Sequence, residues 1–401
     1  MKHMTNEITI QANPKNVKSF RKGFPLLQKE HLNTRMSDIE EGTIIKLTDH
    51  THSFIARGYY GKQNKGLGWL LSWKETEAID EAFIKRKIEL AVNQRLHFFY
   101  NEDTTAFRVF NGEGDGFGGF TIDHFNGYYL IQWYSLGAYS FRDEVYRAVR
   151  DIKGWKGTYE KKRFAQDGQY VEDDDYVEGE KATFPLLVKE NGIQFAVYLN
   201  DGAMVGVFLD QREVRKRIMH AYSEGKTVLN TFSYTGAFSV AAALGGASVT
   251  TSVDLAKRSL SKTIEQFSIN GIDYESQNII VEDVFNFFKY AVKKEHSYDL
   301  VILDPPSFAR SKKHTFSAQK DYPSLLKDAI SITSDGGVIV ASTNCSTFDM
   351  KRFHEFIDRA FKEMGETYTV LEQYSLPEDF KTMSQYKQGD YLKVAFIQKG
   401  K

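Results

Sequence analysis

The residues with most to say about chemistry are three carboxylates and one proline-stiffened turn. The sharpest motif is Leu303-Asp304-Pro305-Pro306-Ser307-Phe308. Proline cannot continue a central strand, and two in succession make a rigid turn. Such a turn holds the Asp304 side chain and nearby backbone carbonyls toward a cleft, as acceptors for an amine or ring nitrogen of a base. Phe308 offers a face for a base turned out of its stack. The plain alternative is a rigid turn with no further role. Asp254 and Asp283 stand at the ends of two earlier strand-like runs. A carboxylate after a second strand can accept both ribose hydroxyls, and one after a third suits the exocyclic amine of adenine. Each also reads as a helix N-cap or first-turn acid. Three polar ends on consecutive strands fit that bland reading less well.

The run Asn230-Thr231-Phe232-Ser233-Tyr234-Thr235-Gly236 ends the first of these strands. It has no GxGxxG fingerprint and no Walker lysine, which counts against a dinucleotide or nucleoside triphosphate. A cofactor without a pyrophosphate needs less close backbone approach. Small hydroxyl residues with Gly236 suit the methionine end of S-adenosylmethionine. The same residues also make ordinary helix caps.

Cys345, in Ser342-Thr343-Asn344-Cys345-Ser346, is the single cysteine. In 5-methylcytosine chemistry a thiolate adds to C6 of the base, and a cysteine beside the Asp304 turn suits that role. An inert near-core thiol is the equal alternative. Arg310, Lys312, Lys313 and His314 follow the turn and read as phosphate contacts or as a solvated face. Asp210 to Arg212, ahead of the first strand, read as a flap over the cofactor or as a helix cap. One cysteine excludes a disulfide framework and a cysteine zinc site, so no metal is expected.

These residues need a frame. From Thr227 onward strands and helices alternate strictly. Strands are expected at 227–230, 248–253, 278–281, 299–303 and 337–342. Helices are expected at 237–244, 257–270, 284–291, 320–332 and 350–362. Two strands close the pattern near 368–374 and 391–397, the last of them antiparallel. Buried strands alternating with helices predict a doubly wound α/β sheet, with its ligand at the carboxyl ends of the strands. Residues 8–75 read as short strands and turns of a small β-barrel, and 78–99 as an amphipathic helix. The glycine-rich 112–119 lies between strands with no helix after it, so a hairpin turn is expected rather than a phosphate cradle.

The 401 residues call for two or three domains. The net charge of −1 carries no whole-chain signature of nucleic-acid binding. The bias is local: residues 1–75 hold 12 Lys and Arg against 7 Asp and Glu, so any RNA contact is expected there. The acidic Glu172-Asp173-Asp174-Asp175 reads as a solvated loop. No apolar run reaches transmembrane length and no signal peptide is evident, so no membrane partner and a cytoplasmic location are expected.

Phe208-Leu209-Asp210-Gln211-Arg212, the 229–236 run, Ser252-Val253-Asp254, the 304–308 turn and Gly389-Asp390-Tyr391-Leu392-Lys393 form a set. Together they resemble the large-subunit ribosomal RNA methyltransferase I family over nearly the whole chain. Arg21-Lys22-Gly23-Phe24-Pro25 and Ala56-Arg57-Gly58-Tyr59 are similar to that family's RNA-binding PUA domain. The resemblance implies an S-adenosylmethionine-dependent enzyme that makes 5-methylcytosine in 23S ribosomal RNA. It implies cofactor contacts from Phe232, Ser233, Tyr234, Asp254, Asp283 and Asp304, with Gln211 and Arg212 at the cofactor or substrate mouth. The chain departs from the family pattern twice. Ala203-Met204-Val205-Gly206 replaces the usual His-Lys-Thr-Gly, and Asn344 rather than Cys345 stands in the register of the family's nucleophile. The stretch 304–312 also resembles a guanine-N7 methyltransferase domain with Ser-Asn-Asn where this chain has Thr343-Asn344-Cys345.

The expectation is therefore an α/β protein in three parts. Residues 1–75 form a PUA-like RNA-binding β-barrel, 76–190 a central α+β connector, and 191–401 a Rossmann-like class I methyltransferase domain. S-adenosylmethionine is the cofactor, and the substrate is a base of ribosomal RNA, cytosine C5 or a guanine. Asp304, Phe308 and Cys345 are the expected catalytic residues, and Gly236 joins the cofactor set. A homodimer stays open. So do methylation of a non-RNA substrate, which an absence of RNA affinity would favour, and a non-catalytic RNA-binding assembly factor, which an absence of S-adenosylmethionine binding would favour.

Overall fold

A computed structural model describes residues 7–34, 36, 38–64, 66–166, 169–170, 175–202, 205–310 and 315–400. Lys312, Lys313, His314, Ala203, Met204 and Glu172 to Asp174 lie outside the described residues. The chain divides into two compact units. One comprises 1–188, 198–205 and 378–389; the other comprises 189–197, 206–377 and 390–401.

The first unit holds two five-stranded sheets. The N-terminal sheet has the order Glu7–Gln11, Ile44–Thr48, Phe54–Gln63, Gly66–Ser72, Leu26–Leu27, with Glu7–Gln11 parallel to Ile44–Thr48. Helix Pro14–Arg21 starts where Asn13 accepts the Lys15 N–H and Pro14 supplies the preset φ of a first turn. The second sheet has the order Tyr176–Gly179, Gly157–Lys162, Tyr128–Trp133, Phe120–Phe125, Ala106–Asn111. Barrel and connector residues fall in one unit because they share a core: Tyr59 and Trp69 of the first sheet bury with Phe107, Phe120 and Trp133 of the second.

The glycine-rich run is the expected hairpin connection, between antiparallel Ala106–Asn111 and Phe120–Phe125. Its composition has a packing cause. A Cβ on Gly114 would sit 1.8 Å from the Lys381 carbonyl oxygen, and one on Gly118 would sit 2.3 Å from the Trp69 ring. Lys381 belongs to 378–389, a segment from late in the chain that is built into this unit. Arg95 pairs with Asp115 at 2.7 Å and donates to the Asp379 carbonyl at 2.8 Å, while the buried Asp379 carboxylate accepts the Arg108 N–H.

The second unit is a seven-stranded sheet. Its order is Asn278–Val281, Val249–Asp254, Thr227–Thr231, Tyr298–Leu303, Thr333–Thr343, Lys393–Lys399, Tyr368–Tyr374. In order of appearance along the chain this is 3-2-1-4-5-7-6. The first five strands are parallel, and Lys393–Lys399 runs antiparallel between its neighbours, as expected of the last strand. Val228, Leu229, Val301, Ile302, Ile339 and Val340 are fully buried, because helices cover both faces of a parallel sheet. The order reverses between Thr227–Thr231 and Tyr298–Leu303, which opens the crevice where such sheets bind ligands. A hairpin not foreseen in the sequence, Phe308–Arg310 with Thr315–Ser317, follows the proline turn. Among the described residues no helix is long and apolar enough to cross a membrane.

Candidate active site

Three strand ends meet at this crevice. After Thr231 the chain turns through Phe232, Tyr234 and Gly236, all left-handed, with φ of 54°, 54° and 79°. Two non-glycine residues in that region within five positions are costly, and such strain persists where the surroundings hold it. Asp254 is what holds it. Its Oδ2 accepts the Tyr234 N–H at 2.9 Å and its Oδ1 accepts the Ala256 N–H at 2.8 Å. The Ser233 N–H donates to the Val253 carbonyl at 3.1 Å. Gly236 is obligatory on two counts: its positive φ, and Thr263 Cγ2, which would lie 2.6 Å from an added Cβ.

Asp283 caps helix Val284–Lys293, accepting the Phe285 N–H at 2.9 Å and the Asn286 N–H at 3.3 Å. Both contacts use Oδ1.

Asp304 stands at the end of Tyr298–Leu303, largely buried. Gln211, from the short turn Leu209–Gln211, donates through Nε2 to Asp304 Oδ1 at 3.0 Å and to Ser342 Oγ at 2.7 Å. Burial pushes the Asp304 carboxyl up to about 6, and nearby Asp210 adds to the rise. Ser342, Arg215 and Gln211 favour the ionised form and work against it. Asp210 Oδ2 accepts the Tyr391 hydroxyl at 2.8 Å. Behind the turn, Arg215 is buried in a two-point pair with Glu190 at 2.7 and 2.6 Å and donates to the Phe208 carbonyl. Arg212, expected at the mouth, is buried, with its Nε 3.2 Å from Glu213 Oε1.

At the outer edge of the turn the Ser307 hydroxyl donates to Asn344 Oδ1, and Phe308 is 63% exposed. Cys345 is turned inward. It is buried in the core that includes Tyr322, Phe353 and Phe356, with Sγ 3.1 Å from Thr347 Oγ1. Arg310 lies in the hairpin strand after Phe308.

Residues 157–381 match the model of the S-adenosylmethionine-dependent methyltransferases, more than half of the chain, and residues 10–73 match that of the PUA-like domain. The chain belongs to the S-adenosylmethionine-dependent methyltransferase family. YwbD of Bacillus subtilis (strain 168), whose name places it among the ribosomal RNA large subunit methyltransferases, is 59% identical over 94% of this chain and 96% of its own length. Ribosomal RNA large subunit methyltransferase I of Klebsiella pneumoniae is 29% identical over 88% of each chain. The crystal structure of SMU.776 complexed with SAH superposes with a TM-score of 0.89 at 38% identity, covering 98% of this chain and all of that one.

The cofactor of this methyltransferase is S-adenosylmethionine, and the crevice fits it chemically. Among the described residues, buried oxygens at Gln211 Oε1, Asn230 Oδ1 and Thr263 Oγ1, on or beside the elements that form it, have no hydrogen-bond partner, and such atoms normally find one. Leu255, directly after Asp254, is an apolar side chain 57% exposed, available to a ring. Neither Leu255 nor the Gln211–Ser342, Asp210–Tyr391 and Arg215–Glu190 contacts were foreseen in the sequence. An apolar residue after the ribose-type acid was a usable signal for Leu255. The other contacts join distant positions and left no local mark.

Proposed function

We propose that this methyltransferase modifies a base of large-subunit ribosomal RNA. The observation that carries the reading is the Asp304 carboxyl, held at the mouth of the cofactor crevice by Gln211 beside Ser342. The names of the relatives and the basic balance of residues 1–75 next to a PUA-like match support RNA as the substrate.

Asp254 and the loop Phe232, Ser233, Tyr234 and Gly236 hold the cofactor, with Gln211 and Asp283 at its margins. Arg212 supports the turn from its buried position. S-adenosylmethionine supplies an electrophilic methyl group on a sulfonium. Asp304 accepts an N–H of the base, and Phe308 stacks on its face. Asn344 lies beside Ser307 at the rim, whereas the Cys345 thiol is packed inward. This arrangement favours direct transfer to a nucleophilic ring nitrogen over covalent attack on cytosine C6. A ribosomal substrate places the enzyme in the cytoplasm.

The test is mass-spectrometric mapping of ribosomal RNA from a deletion strain, followed by remethylation with purified protein. One large-subunit nucleotide should lose its methyl group and regain it in vitro. An unchanged modification map would refute the proposal.

A further inference from the structure

Gln211 occupies an unusual position for an amide. It is 3% exposed, and both of its good contacts come from Nε2, to Asp304 and to Ser342. Its Oε1 is buried and has no hydrogen-bond partner among the described residues. An unsatisfied buried acceptor is costly. A leucine or methionine would fill the same volume without that cost, so packing alone does not explain a glutamine here.

The partners lie on neighbouring strands. Ser342 is on a central strand and fully buried, and Asp304 ends the neighbouring strand just before two prolines. Gln211 bridges them from a separate turn, which is itself fastened by Arg215 on the Phe208 carbonyl and by Tyr391 on Asp210. The amide thus fixes Asp304 through its Oδ1.

We propose that Gln211 is the positioning residue of this site: it orients Asp304 through Nε2 and takes an N–H donor of the bound ligand on Oε1. The donor is the cofactor's ammonium or an amine of the base; the chemistry is the same. The inference rests on the crevice being the methyl-transfer site. The charged and titratable groups facing Asp304 are Asp210 from the turn, Arg215 from helix Arg212–Ala221 and Tyr322 from helix Ala318–Ser331. Ionised Asp304 accepts from the base, so activity falls on the acid side as the carboxyl protonates. Removing a hydrogen bond to the charged form raises the pKa.

The experiment uses the full chain with Gln211→Met, which lacks donor and acceptor, and Gln211→Glu, which keeps the acceptor only. In Gln211→Met the acid limb of methyl transfer to deletion-strain ribosomal RNA should move up by about one unit, giving about a threefold loss at pH 6.5 and recovery near pH 9; in Gln211→Glu, where a second carboxylate also stands against Asp304, it should move further. A carbon-13 titration of the Asp304 carboxyl, assigned with Asp304→Asn, should move with it. Gln211→Met should also weaken, by about tenfold, either SAH binding in calorimetry or the KM for RNA. The first result assigns the donor to the cofactor and the second to the base. Gln211→Glu should spare that same quantity.

An Asp304 titration unmoved in folded Gln211→Met overturns the positioning role. SAH affinity and RNA KM both unchanged in Gln211→Met overturn the acceptor role. If Gln211→Met does not fold, Gln211→Leu, which also lacks donor and acceptor, carries the titration test. A wild-type protein that methylates no ribosomal RNA refutes the proposed function instead, and the carboxyl titration still decides the positioning role.

Discussion

Gly236→Ala tests the architecture of the cofactor loop. Gly236 has a φ of 79°, and its ideal Cβ falls 2.6 Å from Thr263 Cγ2 and 3.1 Å from Thr263 Oγ1. The left-handed conformation costs an alanine about 1–2 kcal/mol. Thr263 is fully buried on helix Arg258–Ile269, where few χ1 rotamers are open to it, and both of its branch atoms crowd the added Cβ. Overpacking of this kind costs about 1–3 kcal/mol. The sum is about 2–5 kcal/mol, concentrated where Asp254 fastens Tyr234. The Gly236→Ala/Thr263→Ser pair removes Cγ2 and with it most of the steric part, while the φ cost remains. Hydrogen exchange on peptides covering Thr227–Thr231 and Val249–Asp254 reads the local stability, and calorimetry with SAH reads the site. Exchange should quicken in Gly236→Ala, SAH should bind at least about tenfold more weakly, and the double variant should recover part of both. The four tryptophans, at 69, 73, 133 and 155, all lie in the other unit, so their fluorescence should not change. A single variant within about 0.5 kcal/mol of wild type, or a double variant with no recovery, would refute the reasoning.

Asp304→Asn should lower methyl transfer by about a hundredfold while leaving SAH affinity within about threefold, because a neutral amide is a weaker acceptor for the base. Its effect on stability has the opposite sign. The folded carboxyl sits at about 6 against a reference of 3.8, so ionisation opposes folding above that range. The variant should therefore be the more stable at pH 8, and its advantage should shrink as pH falls from about 6 toward 4. Exchange rates of the Tyr298–Leu303 peptide at the two pH values check this. Cys345→Ala should retain methyl transfer within about threefold and lose about 1 kcal/mol of stability from a small buried cavity; loss of activity with intact SAH binding would restore the nucleophile. His124 packs against Phe107 and Tyr129 with its Nδ1 buried, and this desolvation lowers its pKa to about 4 from 6.5. The unfolded chain takes up that proton first, so the first unit should lose stability as pH falls from about 6.5 to 4. Tryptophan-monitored urea midpoints should show this slope in wild type and a flatter one in His124→Gln.

The alternation of strands and helices after Thr227 was legible in the sequence, because buried parallel strands are short apolar runs and their helices carry 3.6-residue periodicity. The strand ends were legible too, since Asp254, Asp283 and Asp304 each follow such a run. Their tasks were not equally plain. Asp283 serves as a helix cap through Oδ1, the bland alternative held open for it. Asp254 fastens the strained loop through both carboxylate oxygens. The 378–389 segment gave no sign that it belongs with the N-terminal half, because its partners Arg95, Arg108 and Asn111 lie more than two hundred residues earlier.

What the sequence determined by itself is the carbon skeleton of the site: which strands exist, which carboxylates end them, and where two prolines stop a strand. These follow from local sterics and periodicity, which neighbours along the chain suffice to set. Only tertiary structure decided how those groups are tuned. Gln211 reaches Asp304 across 93 positions and Ser342 across 131. Burial, not sequence, sets the Asp304 carboxyl near 6. The choice between Asn344 and Cys345 is likewise tertiary. Adjacent residues leaving a strand point to opposite sides, so one meets Ser307 at the rim and the other enters the core.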